Sequence, residues 1–100
     1  MGFLSRKSEP DSRISKELTI VNRLGMHARP SAMFVKAASK FRADVWVEKD
    51  GERVNGKSIM GLMMLAAGQG SKLLVVCEGA DAAKALAEIE SIIAQKFNED

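Results

Sequence analysis

The chain is poor in the residues that build cross-links: its 100 residues include one cysteine and one histidine. A lone Cys77 cannot form an internal disulfide, which fits a reducing compartment, and one histidine cannot build a multi-histidine metal centre. No apolar run approaches the roughly 20 residues that span a bilayer. We therefore expect a cytoplasmic protein without a metal, a cofactor or membrane insertion.

The net charge is also small, and aromatic side chains are few. The 15 basic and 13 acidic residues leave a net charge of +2, and the aromatics are Trp46 and four phenylalanines. Nucleic-acid binding by a broad basic face or by base stacking is therefore disfavoured. A chain of this length folds as one domain with a modest core.

The first 16 residues are polar, contain mixed charges and offer few groups worth burying. We predict a flexible N-terminal tail at residues 1–16 and one folded domain at residues 17–100.

Apolar periodicity in the predicted domain gives the order β-α-β-β-α-β-α. This order favours an α+β two-layer sandwich, with a four-stranded, mostly antiparallel open sheet and three helices on one face. The predicted strands are 17–21, 43–49, 52–55 and 72–78, and the predicted helices are 28–40, 59–67 and 82–97, with Asp81 as the cap of the last helix.

The segment Gly51–Ser58, GERVNGKS, matches the P-loop pattern for nucleotide phosphates. A P-loop needs a buried strand before it and must curl as one compact loop. Here Asp50-Gly51 predicts a hairpin turn, and residues 52–55 alternate as a return strand. The setting excludes a nucleotide site and leaves Ser58 as an exposed hydroxyl at a helix start.

The single histidine, His27, stands where a helix is predicted to begin, with Pro30 in the first turn. Free amides and the helix dipole favour an anion there, and the guanidinium of Arg29 can reach a phosphate oxygen. An imidazole, with an ordinary pKa of about 6.5, is a nucleophile near pH 7. We predict that His27 accepts and donates a phosphoryl group, with no turnover of its own because no catalytic partner is near.

Two segments carry a family resemblance. Asn22–Ala38, NRLGMHARPSAMFVKAA, contains a Gly-x-His-x-Arg-Pro core and resembles the active-site segment of HPr, the phosphocarrier of the bacterial sugar phosphotransferase system. Asn55–Leu65, NGKSIMGLMML, resembles the regulatory-serine segment of the same family. The resemblance covers about residues 17–97, and the tail before Glu17 departs from the family pattern.

The resemblance implies a phosphoryl relay. Nδ1 of His27 would accept phosphate from the first enzyme of the system, which phosphoenolpyruvate charges, and pass it to IIA components, with Arg29 as charge partner. Ser58 would be phosphorylated by an ATP-dependent HPr kinase/phosphorylase. The protein would act as a monomer.

The resemblance also implies a docking patch beside His27. Met60 and Met63 would lie exposed in it, whereas Met64 and Leu65 would belong to the core, and Lys40 would add positive charge. The predicted partner-binding residues are Met26, Ala28, Ala32, Lys36, Lys57, Ile59, Met60 and Met63.

Other functions remain open at this point. Within the family, the alternatives are a nitrogen-type carrier or a purely regulatory protein that acts through phospho-Ser58. Outside it, a small acylphosphatase-like hydrolase would need a phosphate loop and an asparagine placed to orient water, and neither spacing is present.

Overall fold

The computed structural model describes residues 12–99, in which a four-stranded sheet is covered by three helices. This confirms the predicted α+β class and the order β-α-β-β-α-β-α. None of the helices in this part of the chain is long and apolar enough to cross a bilayer. The elements are β1 Ser12–Thr19, α1 Ala28–Ala38, β2 Asp44–Lys49, β3 Glu52–Asn55, α2 Ile59–Met64, β4 Lys72–Gly79 and α3 Ala82–Ala94, followed by a single turn at Lys96–Asn98.

The sheet has the order β1-β4-β2-β3, and all neighbouring strands are antiparallel. The central strand β4 is the most apolar and is buried over most of its length, because it has a neighbour on each edge and helices over one face. Phe34 of α1 and Ile89 of α3 are fully buried against this sheet. The helices therefore lie over one core, and the loops at the sheet ends are left to build sites.

The first strand is already formed at Ser12, the first described residue, whereas the prediction began it at Glu17. Residues 12–16, assigned above to the tail, pair with β4 from Gly79 to Val75. The apolar pattern did not show this, because Ile14 is the only apolar residue of the stretch and the ladder is made by backbone groups. The rest of the predicted tail lies outside the described residues.

The turn between β2 and β3 decides the P-loop question. Asp50 and Gly51 have φ values of 51° and 84°, the positive pair that a tight Asp-Gly hairpin requires. Glu52–Asn55 then pairs with β2 from Lys49 to Trp46. The segment is therefore a hairpin arm and not a phosphate loop.

Asp81 occupies the N-cap position of α3, but its side chain makes no capping hydrogen bond. The carboxylate instead accepts from the backbone N–H groups of Arg42 at 2.9 Å and Ala43 at 2.8 Å. The bond from Arg42, followed by the one from Ala43, lowers the pKa of Asp81. The predicted cap is thus a tie between α3 and the loop that precedes β2.

Candidate functional site

The loop before α1 places His27 at the helix start. His27 is the N-cap residue with extended backbone angles, φ −74° and ψ −172°, and its side chain makes no capping bond. The loop is held by a hydrogen bond of 2.8 Å from the N–H of Met26 to the carbonyl of Ala67. Gly25 has a φ of 72°, and a Cβ atom there would lie 2.5 Å from the oxygen of Ala67. Only glycine permits this close approach.

The imidazole of His27 is partly open to water, with 37% of the side chain exposed. Its Nε2 lies 2.9 Å from Oε2 of Glu99, whose side chain is 16% exposed. A carboxylate can only accept, so Nε2 carries a proton and Nδ1 of the neutral ring carries the lone pair. The contact therefore selects the nitrogen that can act as a nucleophile.

Asn22 holds the other side of the Glu99 carboxylate. Asn22 is fully buried, and its Nδ2 donates to the carbonyl of Gly25 at 2.8 Å and to Oε1 of Glu99 at 3.0 Å. Both partners are acceptors, which fixes the orientation of the amide. The Oδ1 atom is buried without a hydrogen-bond partner in the described part of the chain.

A left-handed turn brings Glu99 to the histidine. Lys96, Phe97 and Asn98 have φ values of 58°, 53° and 59°, a conformation that costs a non-glycine residue roughly 1–2 kcal/mol. Phe97 is almost completely buried and belongs to the core cluster. Its burial offsets the backbone cost and anchors the turn, so that the chain end folds back onto the start of α1.

Two arginines share a cavity with Glu99. Arg29 and Arg23 line a cavity of about 300 Å³ together with Leu24, Asn98 and Glu99. Both arginines are exposed. Cationic forks beside a helix start suit a phosphoryl group.

A second, apolar cavity of about 270 Å³ is lined in part by His27. The rest of its lining comes from Leu24 and Met26, Met63 of α2 and residues 66–68 of the following loop. The structure thus brings Met63 and His27 together, whereas Met60 is 74% exposed but does not line this cavity.

Most predicted patch residues are exposed, but the predicted core position of Met64 was wrong. Met26 is only 5% exposed, although it contributes to the lining of the apolar cavity beside His27. Met64, predicted in the core, is 67% exposed, because α2 ends there and Leu65 takes the inward position. Lys57 is half-buried, and its Nζ donates to the carbonyl of Phe41 at 2.9 Å. The exposed members of the predicted patch are Ala28, Ala32, Lys36, Ile59, Met60 and Met63.

Ser58 is the N-cap of α2, as predicted. Its Oγ accepts from the N–H of Gly61 at 3.0 Å, and the residue is half-buried. The hydroxyl thus satisfies one free amide of the helix start. Within residues 12–99, no group of three or more His, Cys, Asp or Glu side chains is arranged to hold a metal ion.

Sequence reasoning missed the roles of Asn22, Arg23, Leu24 and Glu99 in this site. Glu99 is 72 positions from His27, and no local pattern marks it. For Asn22, which follows β1, the only feature that could have marked it is its burial. Burial cannot be read from the sequence of a loop.

Comparison with known proteins agrees with this geometry. The family profile described as the PTS HPr component phosphorylation site matches residues 14–95. Phosphocarrier protein HPr of Neisseria meningitidis is 46% identical over 86 residues, which cover 86% of this chain and 97% of that protein. Phosphocarrier protein HPr of Treponema pallidum is 47% identical over 87 residues, or 87% and 99% of the two chains.

Solved structures show the same fold. The crystal structure of HPr-C-His from Thermoanaerobacter tengcongensis has a TM-score of 0.84 and 44% identity, and the match covers 87% of this chain and 98% of that one. An HPr dimer from the same organism matches with a TM-score of 0.70 and 46% identity, over 84% of this chain and 99% of that one.

The HPr-like protein Crh of Halalkalibacterium halodurans is 43% identical over 81% of this chain and 93% of its own length. The chain therefore belongs to the HPr family, the phosphocarriers of the phosphotransferase system.

Proposed function

We propose that this phosphocarrier accepts a phosphoryl group on Nδ1 of His27 and hands it to another protein. The observation that carries the proposal is the 2.9 Å contact between Nε2 and Glu99, which leaves the lone pair on Nδ1 at the start of α1. Free amides at a helix start favour the charge of a bound phosphoryl group. The ring is exposed enough for another protein's phosphoryl group to reach it.

Arg29 is the proposed charge partner, and Arg23 is a second cation in the same cavity. A guanidinium beside the phosphoryl oxygens would offset their charge during transfer. Neither arginine has a carboxylate within 4 Å among residues 12–99, so both can turn toward a phosphoryl group.

The proposed donor is the phosphorylated first enzyme of the phosphotransferase system, and the proposed acceptors are IIA components, all in the cytoplasm. The family has enzymes of this system as partners. An exposed apolar surface next to the histidine supports docking, and flexible methionine side chains suit more than one partner. Among residues 12–99, the large exposed apolar residues are Leu24, Ile59, Met60, Met63 and Met64.

Ser58 is the proposed target of an HPr kinase/phosphorylase. A phosphate at this N-cap would replace the bond from Gly61 with interactions to several free amides. The match to Crh favours a second candidate function, in which the protein acts mainly as a regulator through this serine. The monomeric state stays a prediction, since an HPr dimer is among the matched structures.

The histidine proposal is tested by incubating the protein with phosphoenolpyruvate and the first enzyme, followed by intact-mass spectrometry. We expect one acid-labile phosphate on the wild type and on Ser58→Ala, and none on His27→Ala. An acid-labile label that persists in His27→Ala would refute the assignment.

The serine proposal is tested with ATP and the HPr kinase/phosphorylase. We expect an acid-stable phosphate on the wild type and on His27→Ala, and none on Ser58→Ala. An unlabelled wild type would remove the regulatory role, whereas the histidine assay would still test the carrier role.

A further inference from the structure

We infer that Asn22 is a positioning residue for phosphoryl transfer, and that it acts through Glu99 to hold the imidazole of His27 with Nε2 protonated and Nδ1 open. The inference rests on the proposed function, because it concerns the same ring. It assigns roles to a buried amide and to a carboxylate near the end of the chain.

Asn22 fixes the Glu99 carboxylate. The amide is buried, and its two N–H bonds go to oxygens 2.8 Å and 3.0 Å away. One of these oxygens belongs to Gly25 in the active-site loop, and the other is Oε1 of Glu99. The amide therefore ties the chain end to the loop that carries His27, and Oε2 is left facing the ring.

The side-chain amide of Asn22 is retained at a cost to stability. Its Oδ1 is buried and has no hydrogen-bond partner within residues 12–99. A buried acceptor without a partner is unfavourable, and a leucine of similar size would avoid that cost but would leave the Gly25 carbonyl and Oε1 of Glu99 without this donor. Packing alone does not explain asparagine here, whereas its two donated hydrogen bonds do.

The charge of the His27 ring changes during transfer. The Nδ1 lone pair forms a bond to phosphorus, the bond between phosphorus and the donor breaks, and its electron pair leaves with the donor. The proton on Nε2 stays, so the ring gains one positive charge, which lies next to the Glu99 carboxylate. When the group is passed on, the electrons of the N–P bond return to the ring.

A carboxylate that binds the far nitrogen of a histidine is a known way to fix the tautomer and stabilise the charged ring. The distance of 2.9 Å between Nε2 and Oε2 is that of such a charge-assisted bond. In this protein the carboxylate is held in turn by Asn22, so removing either residue should release the ring in the same way.

The test uses the full chain with Glu99→Ala, Asn22→Leu and the double variant. Glu90→Ala is the matched control, because the Glu90 carboxylate also accepts a hydrogen bond, from Lys16, but on the exposed edge between α3 and β1. We expect the rate constant of phosphoryl transfer to His27 to fall about tenfold in each single variant. The double variant should be no slower than Asn22→Leu, since the loss of Glu99 adds nothing once its anchor is gone. The control should transfer at the wild-type rate.

A second readout does not depend on transfer: NMR shifts of the two imidazole nitrogens in the unphosphorylated protein, at a pH where the ring is neutral. We expect the Nε2–H form in the wild type and a mixture of both tautomers in Glu99→Ala and Asn22→Leu. If Asn22→Leu does not fold, Asn22→Ala, which also removes the donor to Glu99, replaces it in both measurements. An unchanged tautomer in the variants, or additive losses in the double variant, would overturn the inference. A wild type that takes no label would instead refute the proposed function, and the NMR result would still decide the tautomer.

Discussion

Replacing Gly25 with alanine should both destabilise the fold and displace the histidine. Gly25 has a φ of 72°, and an added Cβ would lie 2.5 Å from the oxygen of Ala67 and 2.7 Å from Cα of Gly68. These are backbone atoms, so the clash cannot be relieved by turning a side chain. The loop between β1 and α1 must move, and His27 moves with it.

The magnitude follows from two separable costs. The left-handed backbone costs an alanine roughly 1–2 kcal/mol, and forcing an atom into a packed contact costs about 1–3 kcal/mol more. Gly51→Ala is the matched control, because Gly51 has a φ of 84° but nothing within 4 Å of an added Cβ. We therefore expect a loss of about 2–5 kcal/mol for Gly25→Ala and of about 1–2 kcal/mol for Gly51→Ala.

Urea unfolding followed by the fluorescence of Trp46, the only tryptophan, measures both free energies of unfolding. Under native conditions, Gly25→Ala should also take phosphate on His27 more slowly than wild type, whereas Gly51→Ala should match wild type. Equal destabilisation by the two substitutions, or normal transfer in Gly25→Ala, would show that the close contact with Ala67 does not position the site.

Three further outcomes follow from the described residues. The backbone bond from Arg42 lowers the pKa of the Asp81 carboxyl below its ordinary value of 3.8. The Asp81 carboxylate should therefore stabilise the fold above about pH 4, and this stabilisation should be lost as the pH falls through the folded-state pKa. Asp81→Asn should then destabilise at pH 7 and have little effect in acid, and equal effects at both would contradict the tie. Burial raises the pKa of Cys77 to about 11, so a thiol reagent should modify it at pH 8 only after unfolding in urea; rapid native labelling would contradict its burial. Leu65→Ala should cost about 2–5 kcal/mol and Met64→Ala less than about 0.5 kcal/mol in thermal unfolding, and a reversed order would restore the original core assignment of Met64.

Much of the fold was predictable because its signals are local. Pro30 at the first turn of α1, the Asp50-Gly51 hairpin and Ser58 at the start of α2 depend on backbone preferences and on bonds to neighbours within a few residues. The same local rules placed His27 at a helix start. They also excluded a P-loop, since a hairpin arm cannot curl around a phosphate.

Element ends were less predictable. Residues 12–16 belong to strand β1 because their backbone finds partners on β4, and polar side chains in that stretch hide the pairing. Helix α2 stops at Met64, where the chain turns at Ala66 with a φ of 51°. These limits depend on which surface a neighbouring element offers, and an isolated segment does not carry that information.

Sequence alone thus placed His27 at a helix start, predicted that it is the nucleophile, and carried the family resemblance. Tertiary structure alone decided that Met26 points inward, that Met64 faces water, and that Glu99 and Asn22 hold the imidazole. The physical reason is range: caps and tight turns form between neighbours in the chain, whereas a carboxylate 72 positions away reaches the ring only after the sheet, the helices and Phe97 have packed into one core.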